Sequence, residues 1–248
     1  MKYLIDKYKE KEEFIRKMYD ILSNLERYHN FYHFNFLDPL EQAIAKEILN
    51  SFPNLNYQFN PDCLSYERKQ LVINDDKFDI EVYRISYNSK FNKLDHKDVL
   101  GSLMSIGLDR SFFGDIFLNE KFIEFSVISK RNDVIFSNFT SIKKTKVKMA
   151  KIESFSLGPK FIEKEIITSS KRLDCLLSNI FDISRFKATE FIENGFVHLD
   201  YKIVEEKDYL CNNIPIVISL KKFGKVKIIE ELGVTKNKKL ILKVLYYQ

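Results

Sequence analysis

Glycine is scarce in this chain. Only 7 of its 248 residues are Gly and none precedes Gly101, so the first hundred residues must turn on Asn, Asp and Pro. Cysteine is reduced to three, Cys63, Cys175 and Cys211. An odd number at wide spacing removes both a disulfide framework and a Cys-x-x-Cys metal site, and leaves the expectation of reduced, partly buried thiols. The four histidines, His29, His33, His96 and His198, form no ligand set, and the His29/His33 spacing suits a solvated helix end. No metal and no cofactor are expected. No apolar run approaches the ~18 residues of a membrane span. The opening Met-Lys-Tyr-Leu-Ile-Asp-Lys carries charges where a signal peptide would have its apolar core. These absences point to a soluble, cytoplasmic protein with no membrane partner.

What is present is a core. With 45% hydrophobic and 14% aromatic residues, the chain has enough apolar surface to fold as about one to three domains. The net charge of +5 is modest, but it is unevenly spread. Residues 141–248 hold 21 Lys and Arg against 13 Asp and Glu, a net of +8, while residues 1–140 hold 19 against 22, a net of −3. Basic charge gathered in the C-terminal part is expected of a surface that meets phosphate, although a solvated lysine surface would have the same count.

Phe14, Ile15, Met18, Ile21, Leu22 and Leu25 fall on one helical face within residues 3–28. A second helix is announced by Asp38-Pro39-Leu40-Glu41, which supplies a cap, a first-turn proline and a capping-box acid. Residues 53–74 read as turns around short strands, including Tyr66 and Leu71-Val72-Ile73. From Lys77 the period becomes two: Phe78, Ile80, Val82 and Arg84 alternate with Asp79, Glu81 and Tyr83 as in a strand. Asp95 can cap a helix through Val99, Leu100, Leu103 and Met104, with Gly107 placed to end it. Residues 115–118 and 122–127 form a hairpin around Asn119-Glu120. A helical stretch through Val134, Ile135 and Phe139 follows, and then a strand over residues 145–152. The order β-α-β-β-α-β is that of a ferredoxin-like domain. Ser156-Leu157-Gly158-Pro159-Lys160 breaks the chain between domains. Beyond it, helices are expected over 172–181 and 184–194, the second capped by Ser184 and closed by Gly195. Short strands are expected at 196–199, 202–204, 216–220, 225–229 and 240–246.

The C-terminal segment is the most specific. Arg172-Leu173-Asp174-x-x-Leu177, Ser184-Arg185-Phe186-Lys187-Ala188, Ile192-x-x-Gly195-x-Val197, Lys202 and Leu220-Lys221-Lys222-Phe223-Gly224-Lys225 together resemble the S4 RNA-binding domain. Arg185 and Lys187 at a helix N-terminus add cations to free backbone N–H groups, so phosphate is doubly favoured there. Lys221, Lys222 and Lys225 flank a turn with Gly224 and can converge on the same side. The resemblance implies RNA contacts from Arg172, Ser184, Arg185, Lys187, Lys202, Lys221, Lys222 and Lys225. This chain departs from the pattern at Asp200-Tyr201, where the family usually has Asn-Gly, and a carboxylate there would lie near the RNA face. It departs again at Asn212-Asn213, where the family usually has Gly-Asp, and at Lys225, where it usually has Arg. Lysine lacks the guanidinium fork, so its grip is more salt-sensitive.

Four further blocks extend the likeness: Phe36-Leu37-Asp38-Pro39-x-Glu41-Gln42, Tyr66-Glu67-Arg68-Lys69, His96-Lys97-Asp98-Val99-Leu100-Gly101-Ser102-Leu103-Met104-x-x-Gly107 and Arg110-x-x-x-Gly114-Asp115-Ile116. They resemble the blocks of the bacterial YlmH family over nearly the whole chain. That resemblance implies an α+β protein with a helical N-terminal region (1–74), a ferredoxin/RRM-like middle domain (75–155) and a C-terminal S4 domain (168–248). It further implies a non-enzymatic, monomeric factor that binds rRNA and tRNA on the large ribosomal subunit during rescue of stalled complexes. Such a factor supports C-terminal tailing of nascent chains, with a tailing-factor protein as a candidate partner. The competing readings are an RNA-modifying enzyme of the S4-containing type and a cell-division-associated interaction protein.

Several residues invite catalytic readings. His96 and Asp98 stand two apart on a helix and so face differently, whereas Asp98 sits where it completes a cap begun by Asp95. Arg110 precedes Gly114-Asp115, with Asp115 as a near partner. Lys148-Met149-Ala150-Lys151 resembles the ATP-binding signature of class I aminoacyl-tRNA synthetases, but no companion His-x-x-His or Gly-rich loop exists. Lys146 and Lys148 fit the outer face of the last ferredoxin-like strand. His96, Arg110, Lys146 and Lys148 are candidates for a secondary RNA contact. S4-bearing pseudouridine synthases place an Asp near Arg-Leu, yet here Asp174 belongs to the helix itself. The middle domain lacks the aromatic signature of an RRM on its third strand, so single-strand stacking on its sheet is not expected.

Overall fold

The computed structural model describes residues 1–88, 93–131 and 139–247. The chain is a mixed α and β protein that divides into two compact units, Met1–Gly158 and Pro159–Gln248. The unit boundary falls inside the expected break.

The first unit begins with α1 (Lys2–Lys7), a single 3-10 turn and α2 (Glu12–Tyr28). The expected apolar face is there, with Ile15, Met18, Leu22 and Leu25 buried and Phe14 and Ile21 half-buried. It is interrupted at Tyr8, whose hydroxyl donates to Glu47 at 2.7 Å while its ring goes into the core. Helix α2 ends on His29 in the left-handed region. The N-terminal region also contains a sheet, in which the short strand expected at Leu71-Val72-Ile73 is joined by a strand over Tyr32–Leu37 that the sequence reading does not anticipate. Strands β1 (Tyr32–Leu37), β2 (Tyr57–Phe59) and β3 (Lys69–Ile73) pair antiparallel in the order β1-β3-β2. His33 is therefore no solvated helix end: it is buried on β1, its ring nitrogens 2.6 Å from Asp79 and 2.7 Å from Asp75. Helix α3 (Pro39–Leu49) starts with the expected capping box, Glu41 N–H donating to Asp38 at 2.8 Å and Asp38 N–H to Glu41 at 2.9 Å.

Next come β4 (Ile80–Ser86), α4 (His96–Met104), β5 (Phe113–Leu118), β6 (Phe122–Ile128), the short pair β7 (Ser141–Ile142) and β8 (Thr145–Lys146), and β9 (Lys148–Ile152). Strands β5-β6-β4-β9 form an antiparallel sheet in that order. With β4 first in sequence, this is the strand order of a ferredoxin-like sheet. Val134 and Ile135, the centre of the expected second helix, lie outside the described residues. Tyr83, Ile85, Ile123, Phe125 and Val127 turn one sheet face onto Val99 and Leu103 of α4, where Phe139 and Ile142 join them. The expected strand over 145–152 is divided, because Val147 N–H bonds the Thr140 carbonyl at 3.1 Å and its side chain packs against that core.

The second unit opens with β10 (Phe161–Thr168), followed by α5 (Leu173–Phe181), α6 (Arg185–Glu193), β11 (Val197–Leu199), β12 (Lys202–Ile203), β13 (Ile216–Leu220), β14 (Gly224–Val234) and β15 (Leu240–Tyr247). All six strands join one antiparallel sheet, β10-β15-β14-β13-β11-β12. Leu173, Leu176, Leu177 and Ile180 of α5 and Ala188 and Ile192 of α6 cover its inner face, against Val197, Ile218, Val226, Ile228 and Val244. Burying one such aliphatic side chain contributes roughly 1.5–3 kcal/mol. This small core sets where α6 begins, and with it the site.

Candidate nucleic-acid interface

Helix α6 starts on Ser184, whose hydroxyl accepts the Lys187 N–H at 3.2 Å. The three residues that follow, Arg185, Phe186 and Lys187, are all exposed. Arg185 is held. Its guanidinium donates to Asp174 Oδ2 at 2.6 Å, and Arg172, the N-cap residue of α5, donates to both oxygens of the same carboxylate at 3.1 and 3.2 Å. Asp174 is buried, yet these two bonds outweigh the cost of burial and bring its carboxyl down to about 2. One carboxylate thus fixes two arginines while leaving them a net charge of +1. Ordering a guanidinium before it meets phosphate removes part of the entropy that binding otherwise costs.

Lysine 187 stands over the rings of Phe191 and Phe223 at 5.7 and 6.0 Å, and Lys221 over Phe196 at 5.4 Å. Phe191 touches both Phe196 and Phe223, at centroid distances of 6.2 and 5.5 Å. The α6 start and the turn after β13 therefore meet through a cluster of rings that carries a lysine at each end. Lys222 sits in that turn with φ 72°. Lys225 does not join them. It occupies the pleat of β14 opposite buried Val226, over Tyr247 at 4.3 Å and Tyr201 at 5.5 Å. Lys202 opens β12, next to Tyr201. The eight expected contacts thus form two neighbourhoods, one at the α6 start and one at the β11–β12 turn.

That turn explains the departure at Asp200. Asp200 and Tyr201 have φ of 45° and 70°, the two left-handed positions that make Asn-Gly the favoured pair in a two-residue hairpin. The Asp200 carboxylate turns to β13, where it accepts the Val217 N–H at 2.8 Å. Its lone pairs serve the sheet instead of opposing phosphate.

The candidates in the first unit separate further. Asp95 and Asp98 form the capping box of α4, with bonds of 2.8 and 3.2 Å, and His96 is simply its first residue. Arg110 does not pair with Asp115. It donates to the carbonyls of Phe113 and Gly114, and burial together with the nearby Arg68 guanidinium pulls its pKa down to about 10. Asp115 instead accepts from the Ser65 hydroxyl at 2.9 Å and the N–H groups of Tyr66 and Glu67 at 2.6 and 2.7 Å. Tyr66 is for this reason in a bend and not a strand, since its N–H points at a carboxylate. Lys146 and Lys148 are exposed on separate strands, either side of Val147. Among the described residues, no group of His, Cys, Asp and Glu is arranged to hold a metal, and no helix is long and apolar enough to cross a membrane.

Residues 74–155, which contain this sheet, match the family model described as "Putative RNA-binding domain in YlmH". Over 215 residues, covering 83% of this chain and 83% of the relative, the sequence is 29% identical to "Ribosome-associated protein quality control protein P2" of Bacillus subtilis (strain 168). Both likenesses point to YlmH proteins, the first over residues 74–155 and the second over most of the chain. A solved structure, "Cell division protein ylmH from Streptococcus pneumoniae", is 20% identical, with 58% of this chain and 91% of that one covered and a TM-score of 0.49.

The blocks that resemble the YlmH family have a shared structural meaning. Arg68 donates to the Phe36 carbonyl at 3.1 Å, Gln42 to the carbonyls of Leu37 and Glu67 at 3.0 and 2.8 Å, and Asp115 takes the Ser65 hydroxyl and the N–H groups of Tyr66 and Glu67. Blocks far apart in the chain thus lock the N-terminal sheet to the YlmH-family domain. Gly114 lies at the seam, where a Cβ would come within 2.1 Å of Ser126 Oγ and 2.9 Å of the Phe36 ring. A second buried carboxylate, Glu124, accepts from Arg84, from the Ser156 hydroxyl and from the N–H groups of Ser156 and Leu157. These contacts cover the sheet face away from α4.

Two features of the candidate site escape reading by motif. Phe186 is 82% exposed between two cations. Its signal is positional: it stands two residues before buried Ala188, off the apolar stripe of α6. Asp174, read as helix structure, also orients the arginines, which only the packing of α5 against α6 reveals.

Proposed function

We propose that the chain is a non-enzymatic, cytoplasmic RNA-binding factor that acts on the ribosome. On this reading the second unit is an S4 domain that grips structured RNA at the start of α6. The observation that carries it is the convergence of Arg185, held by Asp174, with Lys187 and the Lys221–Gly224 turn around one ring cluster. Phosphates would bridge Arg185, Lys187 and the free N–H groups of α6, and Phe186 would stack on an accessible base. The relative's name, a ribosome-associated quality control protein, supports a place on the ribosome. The family resemblance makes that place the large subunit with tRNA, during rescue of stalled complexes and tailing of the nascent chain. Lys202 and Lys225 form an adjoining contact. His96 and Arg110 are better seen as parts of the fold than as RNA ligands.

The test is gradient sedimentation and crosslinking of the full chain in stalled-translation extracts. Comigration with large subunits is expected, and Arg185→Ala with Lys187→Ala should reduce affinity about 100-fold, as expected for two charge-assisted contacts. The slope of log affinity against log salt should fall by about two. Absence from large subunits under stalling overturns the ribosomal reading, and an unchanged salt slope moves the grip elsewhere.

A further inference from the structure

The closed sheet face of the YlmH-family domain leaves open how that domain would meet RNA. At its other edge lies a recess of about 680 Å³, lined in part by Ser86, Tyr87, Thr140, Ser141, Lys146 and Lys148. Three elements build it. Strand β4 ends at Ser86, directly across from Lys148 of β9. Ser141 of β7 pairs with Lys146 of β8. The Val147 N–H to Thr140 carbonyl bond of 3.1 Å ties that hairpin to the start of β9. The hairpin is anchored at its tip, where Lys143 adopts φ 51° and its Nζ lies 2.5 Å from Asp98 of α4.

The chemistry of the wall is selective. Val147 packs against the core, so its neighbours Lys146 and Lys148 are both turned to solvent at the recess. Among the described residues no carboxylate lines it, and two of those that do line it are cations. Tyr87 is half-buried and packs against the same core, so its ring is held in place. Three hydroxyl side chains, Ser86, Thr140 and Ser141, complete the polar lining. The volume is within the ~300–1,000 Å³ range of small-ligand pockets.

We propose that this recess takes one nucleotide of a single-stranded RNA segment. The base lies against Tyr87, the phosphate is held by Lys146 and Lys148, and the hydroxyls face the ribose. Cations with an aromatic ring and sugar-directed hydroxyls are the general requirements of single-strand recognition. The proposal rests on the RNA-binding reading of the chain but not on the α6 grip.

The experiment uses the full chain carrying Arg185→Ala and Lys187→Ala, so that the second unit does not mask the recess, and a labelled unstructured RNA of about six nucleotides. Lys146→Ala with Lys148→Ala should weaken binding about 10-fold and lower the salt slope by about 0.7, the value for one single-strand phosphate. Tyr87→Leu keeps apolar bulk against the core and should lose about 10-fold with no change of slope, while Tyr87→Phe keeps the affinity. Circular dichroism confirms that each variant is folded. The proposal is overturned if folded lysine and Leu variants bind within twofold of their parent. It is overturned equally if adenosine monophosphate binds the recess as tightly as the RNA, which would make it a free-nucleotide site. If the α6 variant leaves structured-RNA binding intact, the α6 grip falls and the recess stands; a parent chain that binds no RNA at all overturns the RNA-binding reading and the recess with it.

Discussion

In the first unit, Asp115 and Glu124 accept mostly from backbone N–H groups and serine hydroxyls, with Arg84 the one guanidinium partner of Glu124, closing a sheet face and locking distant blocks together. In the second unit, Asp174 is as deeply buried, but its oxygens hold two arginines that reach solvent. Lys187, Lys221 and Lys225 there stand over rings. A carboxylate whose partners are mostly backbone N–H and hydroxyl groups chiefly fixes the chain. One that holds two guanidiniums leaves a net positive charge in a fixed direction. The first device suits a scaffold, the second a surface that must meet phosphate.

The sharpest way to separate the two is to damage the scaffold alone. Gly114→Ala forces a Cβ to within 2.1 Å of Ser126 Oγ, and overpacking of this kind costs about 1–3 kcal/mol. The urea midpoint of the first unit should fall while affinity for structured RNA is kept. A parallel loss of affinity would mean that the first unit shares the grip.

The converse change damages the surface alone. Phe186→Ala removes a side chain that is 82% exposed, so stability should be unchanged. Affinity for RNA with an accessible base should fall about 10-fold, the usual worth of one stacked base, with no change of salt slope. Phe186→Tyr should restore it. Equal affinity of the Ala variant, measured by fluorescence anisotropy, would make Phe186 a bystander.

Local signals were the legible part of the fold. Asp38-Pro39-Leu40-Glu41, Asp95 with Asp98, and Ser184 each cap a helix as their spacing implies, because a cap is decided within four residues. The Asn119 turn is equally local, its side chain accepting the N–H groups of Lys121 and Phe122 at 2.8 Å. Strand β10 escapes because six of its eight residues are exposed, so no alternation marks it. Strand β1 escapes because Tyr-His-Phe-Asn-Phe-Leu sits between two stronger helix signals. At the site, the helix start and the lysine turn are visible as a motif. The pairing of Arg172 and Arg185 through Asp174, and the split between Lys221 and Lys225, depend on which pleat and which helix face each neighbour, and spacing alone does not encode that.

Asp174 allows the last test, because its role can be titrated. Its carboxyl lies near 2 in the folded chain, below the ordinary 3.8, as the bonds from Arg172 and Arg185 overcome its burial. A group depressed on folding stabilises above its ordinary value and loses that contribution as pH falls through its folded value. Asp174→Asn keeps the shape and removes the charge, and should cost about 1 kcal/mol at neutral pH, the net worth of a hydrogen bond. The gap between parent and variant should stay constant down to about pH 4 and then close towards pH 2, read from urea midpoints at each pH. A gap that persists at pH 2 would show that Asp174 matters for packing and not for its charge, and the contrast between the two units would lose its electrostatic basis.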